Sequence, residues 1–207
     1  MKPSAYHHGD LKRQLLATGT SLLRTGGPSA LSAREATREL HVSVTALYRH
    51  FDSVEQWRAD VSRCAREELA RSMLAAISAC PATRSRSLAA RRKFRAVGSG
   101  YIAFAIEEPL LFMGAFMPYA AAPSEPDDPS AWSILQVSLD ELVAAGALHP
   151  RMRADAPVIA WTAVHGLSAL VVQGALDVTS AQDPRVRAVL DGVARALEIS
   201  LRGLHDA

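Results

Sequence analysis

Two short segments, Ser32–Leu40 and Ser43–Phe51, are separated only by the tight turn His41-Val42. Two helices joined so closely form a helix-turn-helix, whose second helix is shaped to lie in a DNA major groove. Leu47 and Phe51 stand four residues apart and share one face, where they can anchor that helix to its domain. Val44, Thr45, Tyr48 and Arg49 fall largely on the other side.

The surrounding chain carries helix starts and stops at matching places. Leu11, Leu15, Leu22 and Leu23 recur at helical spacing from about His8 to Thr25, and Gly26-Gly27-Pro28 stops that helix. Ser32 stands three before Glu35, the reciprocal capping pattern that opens a helix. Ser43 is placed to cap the next one, and Asp52 with Glu55 to open a long fourth helix over about Ser53 to Ala79, ending before Pro81. Further helices are predicted over about Leu88 to Glu107, from Pro109 through Phe116, Ser130 to Ala145, Asp155 to Leu176 and Pro184 to Leu204. A proline-rich acidic loop occupies about Ala120 to Pro129. With no alternating strand pattern and no internal repeat, the expected fold class is all-α with about nine helices.

Composition narrows the function classes. Apolar residues make up 49% of the 207, and no run approaches the roughly 18 consecutive apolar residues of a membrane span. The start of the chain lacks an apolar leader core, so no export and no membrane partner are expected. Cys64 and Cys80 lack metal-ligand spacing, which points to two thiols in a reducing cytoplasm and to no metal site. Residues 61–95 carry nine Lys/Arg against two Asp/Glu, whereas residues 96–207 carry six against thirteen. That polarity suits a polyanion at one end only, although solvated helix faces produce the same counts. No Gly-x-Ser-x-Gly, His-Glu-x-x-His, P-loop or dinucleotide fingerprint occurs, so no enzyme, catalytic residue or cofactor is expected.

Leu31-Ser32-Ala33-Arg34-Glu35, then Val42-Ser43, then Ala46-Leu47-Tyr48-Arg49-His50-Phe51 resemble the DNA-binding domain of TetR-type transcriptional regulators. The resemblance runs from about Tyr6 to Val61. Trp161, His165 and Gly166 resemble the helix that names the WHG-type C-terminal domain of one branch of these regulators. It implies a DNA-binding domain over residues 1–60 and an effector-binding and dimerisation domain over 61–207. It also implies a dimer that binds a pseudo-palindromic double-stranded DNA operator, usually as a repressor, and leaves it when a small molecule enters the C-terminal domain. The alternatives are a ligand-independent architectural DNA binder and, behind it, an enzyme.

The expected DNA contacts are Ser32, Arg34, Ser43, Val44, Thr45, Tyr48, Arg49 and His50. Val44 and the Thr45 methyl suit thymine methyls, and Arg34, a base reader by the resemblance, suits guanine. Tyr48 and His50 suit phosphate. Two residues depart from the family pattern. His41 stands where the turn normally has Gly, a position that often needs positive φ. Val54 stands where a Lys is frequent, which removes one phosphate contact.

In the C-terminal half, Phe104, Phe112, Met113, Phe116, Trp132, Trp161 and His165 are the expected lining of a pocket for an apolar or aromatic effector, although any one of them suits an ordinary core equally. Gly166 and Gly174 are expected to flatten helix eight. Leu167, Leu170, Val171 and Val172, with Val186, Val189, Leu190, Val193, Leu197 and Leu201 of helix nine, are expected to build a four-helix homodimer interface, with burial inside the monomer as the alternative.

Overall fold

The computed structural model describes residues 8–118 and 129–199. Tyr6, the loop residues 120–128 and the predicted helical stretch beyond Ile199, including Leu201, lie outside them. Among the described residues there are nine α-helices and no strand: α1 His8–Gly26, α2 Ala33–Glu39, α3 Val44–Leu47, α4 Val54–Ser78, α5 Arg86–Glu107, α6 Pro109–Ala115, α7 Ala131–Ala144, α8 Ala156–Val172 and α9 Pro184–Ala196. No single helix among them is long and apolar enough to cross a membrane.

The helices form two compact units. The first gathers α1, α2, α3, the part of α4 up to Arg66, and α6. Its core is the leucine face of α1 against Leu31, Leu47, Phe51, Trp57 and Val61, all buried. The Trp57 indole N–H donates to the Leu15 carbonyl at 3.2 Å. A methyl on Gly19 would lie 2.6 Å from Val61 Cγ2 and 2.9 Å from Trp57 Cζ2, so only glycine allows α1 this close to α4. Helix α6 belongs here although it lies far along the chain. Arg24 pairs with Glu108 at 3.1 Å, and the Ser62 hydroxyl and the Arg66 guanidinium both donate to the Ala115 carbonyl. The N-terminal unit is therefore larger than a simple cut after residue 60.

The second unit gathers α4 from Glu67, α5 and α7 to α9. Helix α5 packs on α7, α8 and α9. At Gly100 it approaches α4 so closely that a Cβ would sit 2.9 Å from the Met73 Cα, and Ser72 Oγ donates to the Gly100 carbonyl at 3.0 Å.

Several helix ends share one device. Beyond α2, Val42 N–H donates to the Thr37 carbonyl and His41 N–H to the Arg38 carbonyl, with His41 at φ 54. This is the paired-bond cap in which the residue after the helix turns left-handed. Helices α7, α8 and α9 end the same way, with Gly146, Gly174 and Glu198 in the left-handed position. Gly174 thus terminates helix eight instead of flattening it, which is why α8 stops at Val172 rather than Leu176. Glu198 ends α9 at Ala196, short of the expected Leu204.

Two cap expectations change. Ser43 occupies the position before α3 but its side chain makes no capping bond. Helix α4 is capped by Ser53, which accepts from the Gln56 N–H at 3.0 Å, and not by Asp52. Ser32 does cap α2, accepting from the Glu35 N–H at 3.4 Å.

Candidate functional site

The first candidate site is the surface made by α2, the turn and α3. Leu47 is fully buried and Phe51 is 3% exposed, which fixes the helix by one face. The opposite face is open: Val44 is 39% and Tyr48 53% exposed, and Ser43, Thr45 and Arg49 are exposed beside them. Val44 and Tyr48 thereby put two apolar side chains on the open face of the segment. After Leu47 the chain tightens into a turn in which His50 N–H and Phe51 N–H both donate to the Leu47 carbonyl.

Arg34 is exposed on α2, and among the described residues no carboxylate pairs with its guanidinium. The neighbouring Arg38 is instead held by Glu35, whose carboxyl is lowered by that hydrogen bond and by the charge of Arg38. Ser32 and His50 are half-buried, Ser32 being engaged in its cap. A residue passed over at the sequence level also belongs to this face. The Lys12 ammonium sits 5.5 Å from the centre of the Phe51 ring, a cation–π contact that places a positive charge beside the end of the α3 segment. The Lys12-Arg13 pair at the start of α1 was the available signal.

The second candidate site is a narrow cavity of about 40 Å³ inside the second unit. Its wall comprises Met73 from α4, Phe94 and Tyr101 from α5, Leu135 from α7, Trp161 from α8 and Leu190 and Val193 from α9, and Arg91 and Arg95 also line it. That volume admits a water or two, well below the few hundred Å³ of a formed ligand pocket. Tyr101 is 2% exposed, and its oxygen lies 2.7 Å from His165 Nδ1. Burial pushes the Tyr101 phenol up and the His165 imidazole down, which favours the neutral form of each. Trp161 meets Tyr101 edge-on at 5.3 Å, stacks over His165 at 6.3 Å and meets Trp132 edge-on at 5.6 Å.

The seven residues expected to line one pocket separate. Trp161 lines the cavity, His165 touches it through Tyr101, and Trp132, 43% exposed, flanks Trp161. Phe104 is buried on α5 away from the cavity wall. Phe112, Met113 and Phe116 belong to α6 and its end, in the first unit, where the Phe112 and Phe116 rings meet at 5.0 Å. The sequence reading missed Phe94, Val97 and Tyr101, although their spacing of three and four marks one face of α5.

The expected dimer-forming side chains also divide. Val186, Leu190, Val193 and Leu197 are buried in the second unit's own core, as is Leu167. Left open on α8 are Val158, 63% exposed, and Leu170, 44% exposed, with Gly166 between them facing no atom within 4 Å. Gly192 on α9 is equally open. Among the described residues no cluster of three His, Cys, Asp or Glu side chains is placed to hold a metal ion.

Residues 94–193 match the family model for the tetracyclin repressor-like C-terminal domain, a stretch that includes Trp161, His165 and Gly166. A solved protein of unknown function from Rhodococcus sp. RHA1 is 27% identical, with a TM-score of 0.68 over 94% of this chain and 98% of that one. A candidate TetR-family transcriptional regulator from Vibrio parahaemolyticus is 16% identical, with a TM-score of 0.56 over 91% of this chain and 98% of that one. No match among curated proteins reaches significance.

Proposed function

We propose that this chain is a TetR-type repressor that binds a pseudo-palindromic operator as a homodimer and is released by a small, largely apolar effector, a reading supported by the tetracyclin repressor-like match over residues 94–193. The observation that carries the reading is the division of the α3 segment: Leu47 and Phe51 buried, Val44, Thr45, Tyr48 and Arg49 exposed. A recognition helix needs this arrangement, one face spent on fixing its angle and the other free for base edges. Arg34, Val44 and Thr45 are the base readers; Ser32, Ser43, Tyr48, Arg49 and His50 position the domain on phosphate. Lys12 adds a further phosphate contact.

The dimer forms through the outward faces of α8 and α9 around Gly166 and Gly192, where helices can approach closely. Two recognition helices then sit about 34 Å apart, one turn of DNA. Effector entry at the α5, α8 and α9 cavity favours a different spacing, and DNA affinity falls by the ratio of the effector's affinities for the two states. Helix α4 contributes residues to both units and is the helix-borne covalent link through which we propose the change passes, beside the chain crossings at 107/108 and 128/129.

The test is a footprint on the chain's own upstream region, followed by competition against random duplex at fixed salt. A protected pseudo-palindrome bound at least about 1,000-fold tighter than random DNA is the expected result. Equal affinities favour an architectural binder and remove the proposal.

A further inference from the structure

The effector cavity has an uneven chemistry. Its wall is aliphatic and aromatic, yet the two charged residues that line it, Arg91 and Arg95, are both cations one turn apart on α5. Arg95 has a partner inside the unit. Its Nη1 donates to Oδ1 of Asp191 on α9 at 2.5 Å, with the two side chains only 19% and 13% exposed. This ion pair ties α9 to α5 at the cavity wall.

Helix α9 also packs directly on α5. Leu190 of α9 rests on α5 at Gly98, where a Cβ would lie only 2.6 Å from its Cδ2. Movement of α9 off α5, or repacking of Met73, the most adaptable side chain of the wall, would enlarge the cavity of about 40 Å³ toward ligand size. A neutral apolar molecule gains burial but leaves the Arg95–Asp191 tie in place. A molecule with an apolar body and a carboxylate does both jobs: its body fills the wall, and its carboxylate offers Arg95 a second fork-shaped partner in competition with Asp191. A cationic amphiphile finds only cations among the charged residues of the lining and is disfavoured.

We propose that the effector is an amphipathic monoanion, an alkyl or aryl chain ending in a carboxylate, which displaces Asp191 from Arg95 and so releases α9 from α5. This rests on the reading of the chain as an effector-responsive regulator, but binding is measured without DNA, so the two stand or fall separately. Loss of operator binding removes the regulator and leaves the ligand class intact; failure of the ligand series removes the ligand class and leaves the regulator.

The experiment titrates the full-length protein with decanoate, decanol and decylamine, reading the intrinsic tryptophan fluorescence, to which Trp161 of the cavity wall contributes, and the heat of binding. Decanoate is expected to bind at least about tenfold tighter than decanol, the difference between a charge-assisted and a neutral hydrogen bond, and decylamine weaker than either. Asp191→Asn removes the competitor and is expected to tighten decanoate several-fold while leaving decanol unchanged. Arg95→Met is expected to erase the preference for carboxylate; if that variant does not fold, Asp191→Asn alone decides. Decanol binding as tightly as decanoate, decanoate indifferent to Asp191→Asn, or no binding by any of the three overturns the proposal.

Discussion

Replacing His41 by glycine is expected to stabilise the protein. His41 holds φ at 54 in the cap that ends α2. For an L-residue with a side chain the left-handed basin costs about 1–2 kcal/mol, and glycine occupies it without that penalty. Glycine also frees the unfolded chain, which offsets about 0.4–1 kcal/mol. The imidazole is exposed, so the substitution removes no core contact, and both cap hydrogen bonds use backbone atoms that glycine retains. The net gain is about 0.5–1 kcal/mol, which for a chain of this size raises the melting temperature by roughly 1–4 °C. The assay is urea unfolding followed by helical circular dichroism, with the midpoint rising and its slope unchanged. Glu198→Gly, at the equivalent place after α9, is a second instance and is expected to move the same way, since its exposed pair with Arg151 adds little. A His41→Gly midpoint equal to or below the wild type refutes the strain argument. Operator affinity of the same variant separates a second role: an affinity equal to the wild type's means that the His41 side chain makes no DNA contact, and a weaker one means that it does.

Three further outcomes follow from named contacts. Gly166→Arg places a side chain where a Cβ meets nothing, so the subunit is expected to fold normally while light scattering shows the dimer converted to monomer; a persistent dimer would move the interface elsewhere. Val54→Lys restores a cation at the start of α4 and is expected to steepen the dependence of log affinity on log salt by about one unit per half-site. His165 is held below its ordinary value of 6.5 by burial, so the unfolded chain binds the proton first. Its contribution to stability is thus complete above about pH 6.5 and is lost as the pH falls toward the lower folded value. Subtracting the profile of His165→Gln from that of the wild type isolates this term, and coincident profiles would contradict it.

The sequence was most legible where structure is decided locally. Leu11, Leu15, Leu22 and Leu23 identified the buried face of α1, and all four are 9% exposed or less. The positive φ at His41 followed from the resemblance, which puts His41 where the turn normally has Gly. Adjacent cap-competent residues were less decisive: Asp52 and Ser53 each stand three before a residue whose N–H they could accept, and the structure uses Ser53, which accepts from Gln56 N–H. What composition could not give was tertiary assignment. Phe112, Met113 and Phe116 read as pocket residues because they are bulky and apolar, but α6 packs on α1 through Gly114, against which Leu23 leaves no room for a Cβ. On α9, Val186, Leu190, Val193 and Leu197 form an apolar stripe that suits a dimer or a core equally; the core took it, leaving Arg185, Arg187, Ala188, Arg195 and Ala196 exposed. The cavity wall was hidden for the same reason, since Phe94 and Tyr101 differ from core residues only by what α8 and α9 leave open beside them.

The most direct test of the account is fluorescence anisotropy of the footprinted operator with the triple variant Arg34→Ala, Val44→Ala, Thr45→Ala. All three side chains are exposed, so the variant is expected to melt within about 2 °C of the wild type, in keeping with surface changes. Its affinity for the operator is expected to fall at least about 100-fold, toward that for random duplex, while random-duplex binding loses much less. A correctly folded triple variant that still selects the operator over random DNA by the wild-type ratio would contradict the central claim that α2 and α3 read the sequence.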